Sequence, residues 1–381
     1  MKYTALRDVC EINMGQSPDS SSYNKEGRGI PFFQGNADFG ERNPVTRVWC
    51  DAPSKIANAN DILISVRAPI GAVNYAAETC CIGRGLAAIT PDLNRVSSEY
   101  IFWLLIGKNA ELNSKGTGST FKAINRRALE EIQVPDVSLK EQAAHAANLE
   151  TAYKIIQMRK QQLSTLDDLI KARFVEMFGD MLINPKGLPE KRLDSLADIV
   201  SGITKGRKVK TDDLYEVPYM AVSNVKDGYI DWTTVKTIMA TGGEIDQYRL
   251  MPGDVLMTEG GDPDKLGRGA IIHEPPKDCI HQNHIFRVRL KQDVLLSAFM
   301  AQYLQQQKAK RYFLGCAKQT TGIASINMKQ LSALPVLVPS MKDQEEYAAF
   351  VAQVDKSKVV VQKALDEAQV LFDSLMQEYF G

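Results

Sequence analysis

The chain has 381 residues, 44% of them hydrophobic and 24% charged, with 46 basic and 46 acidic side chains. This is ordinary composition for a globular protein of two or three domains. It excludes a transmembrane protein of the helical kind, because the longest apolar run, Ile101–Ile106, is far too short for a bilayer. Zero net charge also argues against a stand-alone DNA clamp, which would carry a basic excess to neutralise phosphates.

Residues 1–137 are rich in strand and turn signals. Pro31-Phe-Phe, Asp61–Val66 and Gly85–Ile89 are short apolar runs bounded by Gly, Pro and Asn, and read as buried strands. Ser98–Leu105 reads as the helix that closes this segment. Residues 138–179 then read as one long helix and its stop. Ser138 is the N-cap, and Glu141 stands three residues later in the capping-box position. Leu149, Ile156, Leu163 and Ile170 recur every seven residues, with Ala152, Leu166 and Phe174 as a companion stripe. Gly179 suits the C-terminal stop.

Pro185, Gly187 and Pro189 punctuate a linker over 180–192 into a second strand-rich segment, 180–339. There Pro218-Tyr-Met, Asp254–Thr258 and His284–Arg289 occupy the places of the first three runs, and Ser297–Lys308 reads as the closing helix. Residues 340–381 read as a second long helix, capped by Ser340 with Asp343. Its stripe is Val351, Lys358, Leu365 and Phe372 with Val354, Val361, Ala368 and Leu375.

The second half repeats the first. Residues 124–179 align without a gap on 326–381 at an offset of 202, with 15 identities in 56 pairs, while the upstream parts match only in pattern. The expected fold class is therefore α+β: two globular domains (1–137 and 180–339), each followed by a long helix (138–179 and 340–381). A seven-residue apolar seam needs a partner seam. If the modules are related by a pseudo-twofold axis, the helices form an antiparallel coiled coil. The alternatives are that each helix packs on its own domain or on another subunit.

Catalytic motifs are missing. Glu274-Pro-Pro-Lys277 lacks the first and last residues of a base-methylating Asn/Asp-Pro-Pro-aromatic run, and neither GxGxxG after a strand nor GxxxxGK[ST] occurs. His281-x-x-His284 near Cys279 offers too few ligands for a metal site. Cysteines 10, 50, 80, 81, 279 and 316 form no CxxC pair and read as reduced thiols. With no apolar signal stretch in MKYTALRDV, the expected location is cytoplasmic. We expect no catalysis, metal or cofactor in this chain alone.

Polar, Gly-rich loops offer recognition chemistry instead. Arg67 and Arg84 sit among small residues, as do Lys265 and Arg268 in the second half. A glycine beside an arginine would let backbone approach a groove while the guanidinium reaches a guanine edge. Gln282, Asn283 and His284 carry groups suited to adenine, and Asn224 joins them as a candidate DNA contact. Lys115, Ser119, Thr120 and Lys122, and later Lys318 and Thr321, precede the repeated Ile-Asn pairs and suit phosphates. Lys205, Arg207, Lys208 and Lys210 form the most basic short run. The plainer readings are internal ion pairs for the arginines, ordinary turns for the glycines and a solvated face for 205–210.

DILISVRAPIG, CIGRGLAAI, GTGSTFKAIN, MTEGGDPDKLGRGA and QNHIFRVRL, with the two IN…L…VP passages entering long helices, resemble type I restriction–modification specificity subunits over the whole chain. The resemblance implies two target-recognition domains, each reading one half of a split, asymmetric double-stranded DNA site. It implies helices that space these domains and dock methyltransferase subunits, with motor/nuclease restriction subunits joining them. S-adenosylmethionine, ATP and magnesium would belong to those partners. The remaining alternative is a tandem scaffold whose coiled coil binds only protein.

Overall fold

The structure, a computed structural model, describes residues 2–118, 122–208, 213–261, 266–320 and 323–381. The chain divides into two compact units, residues 1–161 with 362–381, and residues 162–361. The division falls inside the long helices rather than at their starts.

In the first unit, strands Cys10–Met14, Leu86–Pro91, Ile62–Ser65 and Val73–Tyr75 lie side by side in that order, each pair antiparallel. The central strands Ile62–Ser65 and Leu86–Pro91 are buried on both faces, which is why they read as apolar runs rather than alternating ones. Ile62, Ile64 and Ile89 face a core shared with Tyr100–Leu105 of helix Ser98–Gly107. Leu63, Leu86 and Ala88 face the other way, onto Phe33, Ala57 and Ile82. Those residues come from a second sheet in which Ile30–Phe33 pairs in parallel with Cys80–Ile82. Tyr3–Ala5 pairs with Gln133–Pro135, tying the start of the unit to the foot of the first long helix.

The second unit repeats this plan. Strands Ala197–Ser201, Ile285–Leu290, Val255–Thr258 and Gly269–Ile271 occur in the same antiparallel order. Val255 and Met257 face the core that contains Phe299 and Tyr303, and Leu256 faces Met220, Ile272 and Cys279. Glu190–Arg192 pairs with Pro335–Leu337 as the counterpart of the tie in the first unit.

The expected long helices are Leu139–Phe178 and Met341–Phe380. Ser138 and Glu141 make the reciprocal cap, since the Ser138 N–H donates to Glu141 Oε2 at 2.9 Å and the Glu141 N–H to Ser138 Oγ at 3.3 Å. Gly179 ends the first helix at φ +78°, where a side chain is strained. Every predicted stripe residue is buried or half-buried, whereas Val359, Val360, Val370 and Leu371, off the stripe, are exposed.

Within each unit the two helices run antiparallel. In the first, His145 stacks on Tyr379 at 3.8 Å and Asn148 donates to the Tyr379 hydroxyl. In the second, Lys358 pairs with Asp167 at 2.7 Å, Arg173 with Glu346 at 2.6 Å, and Phe174 packs on Tyr347.

One buried glutamine anchors each helix to its sheet domain. Gln142 Oε1 accepts from the Ser97 N–H, and its amide donates to the carbonyls of Arg95 and Val137. Gln344 does the same with Leu296, Val294 and Pro339. Asn125 and Asn327 cap the short helices that precede, each accepting from the N–H three residues on.

Some expected elements are corrected. The closing helix placed at Ser297–Lys308 ends at Leu304, and a new helix runs Gln307–Cys316. The break lies at Gln306, whose backbone is extended (φ −77°, ψ 153°) as the cap of the second piece. The first-unit helix runs on to Gly107 and is followed by Asn109–Ser114, so the loop expected from Ser114 starts on a helix end. Lys318–Thr320, expected in a loop, is a strand paired with Ile323–Ser325.

Candidate nucleic-acid interface

In each unit a set of loops converges at one end of the central sheet. In the first, the Gln16 N–H donates to the Ile82 carbonyl, Gly83 to Phe33, Gly85 to Gln34, Val66 to Gly85, and Ile124 to Val66. Arg67 bridges to Ala123, and the Arg84 N–H reaches Ser17 Oγ at 3.3 Å. The structure thus brings the segments carrying Arg67, Arg84 and Lys122 together, with all three side chains exposed. No carboxylate among the described residues forms an ion pair with any of them. Lys115 lies apart on the helix end and pairs with Glu111 at 2.6 Å.

The glycines here have a different task from the one the sequence invites. A Cβ on Gly85 would stand 2.4 Å from the Gln34 carbonyl oxygen, and one on Gly15 would stand 2.2 Å from that of Gly83. They are needed so that the loops can pack on one another, independently of any ligand.

The second unit gathers the same segments. The Ile203 N–H donates to the His281 carbonyl, Gln282 to Met220, Glu259 to His284, and Ile326 to Glu259. Glu259 therefore occupies the place of Val66, and His284 that of Gly85. His284 Nδ1 lies 2.5 Å from Glu259 Oε2. Beside this pair is a cleft of about 330 Å³, lined by Val222, Glu259, Gly260, His284 and Ser325. Gln282 Oε1 accepts from the Val222 N–H at 3.4 Å, and Asn283 is half-buried beside it. Lys205, Lys208 and Lys318 are exposed, and Arg268 is half-buried.

Two candidates are corrected. Asn224 is fully buried and its amide is consumed internally: Oδ1 accepts from the Ala221 N–H, and Nδ2 donates to the Asp231 carbonyl and Thr234 Oγ1. It braces a turn and is not available to a base. Arg207 makes a two-pronged pair with Glu244 and donates to the Met239 carbonyl. The guanidinium holds the Glu244 carboxyl down at about 2, well below the usual carboxylate range. Ser119, Thr120, Lys210, Lys265 and Thr321 lie outside the described residues.

His281 is no metal ligand here. It is buried, its ring nitrogens face the carbonyls of Tyr248 (3.1 Å) and Val200 (3.3 Å), and burial pushes its imidazole down to about 4. Among the described residues no group of three His, Cys, Asp or Glu side chains is placed to hold a metal ion. Burial also pushes the thiols of Cys10, Cys80 and Cys279 up to about 12, which removes them as nucleophiles. Glu259 is the residue that sequence reasoning passed over. It stands directly before Gly260-Gly261, in a segment whose recognition candidates in sequence are the cations Lys265 and Arg268.

The chain is a tandem repeat of one α+β unit, with a matched loop cluster on each copy. Residues 1–167 and 185–368 match the type I restriction modification DNA specificity domain, and the chain belongs to that family. It is 42% identical over 157 residues to a putative type I restriction enzyme MjaX specificity subunit of Methanocaldococcus jannaschii, covering 41% of this chain and 37% of that one. It is 21% identical over 281 residues to the EcoKI specificity subunit of Escherichia coli, covering 70% of this chain and 60% of that one. The chain thus spans between about a third and three-fifths of the length of these two relatives. The type I restriction-modification S subunit of M. genitalium shares the fold, with a TM-score of 0.59 at 16% identity over 100% of this chain and 96% of that one.

Proposed function

We propose that this chain is the DNA-specificity subunit of a type I restriction–modification complex. Each unit reads one half of a bipartite, asymmetric site in double-stranded DNA. The chain docks methyltransferase subunits, to which restriction/translocation subunits add. The chemistry resides in those partners, which bind S-adenosylmethionine, ATP and magnesium, and this chain performs recognition without catalysis. The complex works in the cytoplasm.

One observation carries this reading. The two loop clusters share a backbone frame but present different side chains, Arg67 and Arg84 on one and Glu259, Gln282 and His284 on the other. A single frame with two sets of hydrogen-bonding groups suits two different half-sites. The near-neutral charge fits a subunit whose partners supply most of the phosphate contacts. The test is to map methylated bases across the genome of cells expressing this chain with its methyltransferase, and of the same cells lacking it. A split motif that vanishes on deletion supports the proposal. An unchanged methylome with an active methyltransferase rejects it in favour of a protein-only scaffold.

A further inference from the structure

The Glu259–His284 pair is unusual for a surface meant to face DNA. A carboxylate there is repelled by phosphates, and that cost is offset where it accepts a hydrogen bond that the duplex can offer. In the major groove those donors are the exocyclic amino groups, N6 of adenine and N4 of cytosine.

The geometry suits that task. The Glu259 backbone is pinned on both sides, its N–H on the His284 carbonyl at 3.0 Å and its carbonyl on the Ile326 N–H at 2.8 Å. His284 holds Oε2 through Nδ1 at 2.5 Å, which fixes the plane of the carboxylate. The Glu259 side chain stays one-third exposed and the His284 side chain 57% exposed, so both reach solvent at the cleft. Beside them stands Gly260, where a Cβ would lie 2.9 Å from the Ala324 carbonyl oxygen, so this position adds no side chain to the cleft. The first unit has Val66 and Gly85 at the corresponding positions and offers guanidinium groups nearby instead.

We infer that Glu259, positioned by His284, reads an exocyclic amino group of adenine or cytosine in the half-site recognised by the second unit. The inference rests on the specificity reading above. His284 acts through Glu259 as a positioning residue.

The experiment uses the full complex with its methyltransferase subunits. Methylation motifs are mapped for the wild type, Glu259→Gln and Glu259→Asp. Binding is also measured to duplexes in which each half-site base pair is replaced in turn. Glu259→Gln keeps the shape but puts a donor where an acceptor stood, and thermal melting checks that it folds. The expected result is loss of discrimination at one base pair of one half-site, by about five- to hundredfold, with the other half-site unchanged. The identity of that base pair tells adenine from cytosine. Glu259→Asp retains part of the preference at the same position. Equal discrimination at every base pair in Glu259→Gln, or a uniform loss across both half-sites, overturns the inference. A wild-type complex with no split motif overturns the specificity reading itself, which is a separate outcome.

Discussion

Replacing Gln344 by Ala tests how each recognition domain is fastened to its helix. Gln344 is fully buried, and its amide makes three hydrogen bonds of 2.9, 3.1 and 3.0 Å to the main chain of Leu296, Val294 and Pro339. Truncation leaves an N–H and two carbonyls short of a partner and opens a small cavity. An unsatisfied buried group costs roughly 1–3 kcal/mol, and partial relaxation and water entry reduce the sum. The net expectation is about 3–5 kcal/mol, a large share of the roughly 5–15 kcal/mol that holds a domain together. Two units make a single unfolding free energy ill-defined, so the assay is native-state hydrogen exchange read segment by segment. Opening free energies over 285–290 and 297–304 should fall by about that amount, while those over 86–91 and 98–107 hold. Gln142→Ala should give the mirror image. A loss under about 1 kcal/mol, or an equal loss in both units, would refute the anchoring argument.

Three other perturbations are informative. Arg42 places its guanidinium 4.7, 4.8 and 4.9 Å from the ring centroids of Phe102, Trp103 and Tyr153 and pairs with Glu150. Arg42→Ala should cost about 2–3 kcal/mol and expose residues 36–48 to limited proteolysis, with Arg42→Lys recovering only part because the planar stacking is lost. His281 folds with its imidazole lowered to about 4, against about 6.5 when unfolded. The unfolded chain binds the extra proton between those values, so this contribution is full above about pH 6.5 and is lost as pH falls toward 4. The loss reaches roughly 3 kcal/mol, and it should shrink in His281→Gln when hydrogen exchange of the second unit is compared at both ends of that window, corrected for intrinsic rates. Arg67→Ala and Arg84→Ala should alter only the half-site read by the first unit in a methylation map, by about 1–3 kcal/mol of discrimination for a base contact. Weakening that is equal across all sequences would instead assign these arginines to phosphate.

The parts of the fold legible in sequence were those set by local periodicity and capping. The seven-residue stripes, Ser138 with Glu141, and Gly179 located the long helices to within a residue, because helix limits depend on neighbours three or four apart. The duplication was legible where both copies serve the same packing, around Gln142 and Gln344. The recognition loops were harder to read, because the fate of a polar side chain there depends on partners far away in sequence. Arg207 looks like part of a basic run until Glu244, 37 residues on, takes its guanidinium. Asn224 looks like a free amide until Asp231 and Thr234 consume it. Glu259 carries no motif in the run Glu259-Gly-Gly-Asp-Pro-Asp264, and its pairing comes from His284, 25 residues away.

The loops and the anchors divide the work of the repeat between two kinds of bond. The frame of each loop cluster is made by main-chain hydrogen bonds, Val66 to Gly85 and Glu259 to His284, and by tight contacts that exclude a Cβ at Gly15 and Gly85. None of these depends on which side chain Val66 or Glu259 carries. A change of chemistry at the solvent-reaching positions Arg67, Arg84, Glu259 and His284 therefore leaves this frame intact, whereas Val66 is itself buried in the core of the first unit. The glutamine anchors have no such freedom, since each is buried and its amide is matched to three named main-chain partners. That asymmetry accounts for a chain whose helical parts still align residue by residue at an offset of 202 while its globular parts match only in plan. It also predicts where specificity can be rebuilt. Exchanges at Arg67, Arg84, Glu259 and His284 should leave the melting temperature within a few degrees of the wild type while changing the motif. Exchanges at Gln142 or Gln344 should do the reverse.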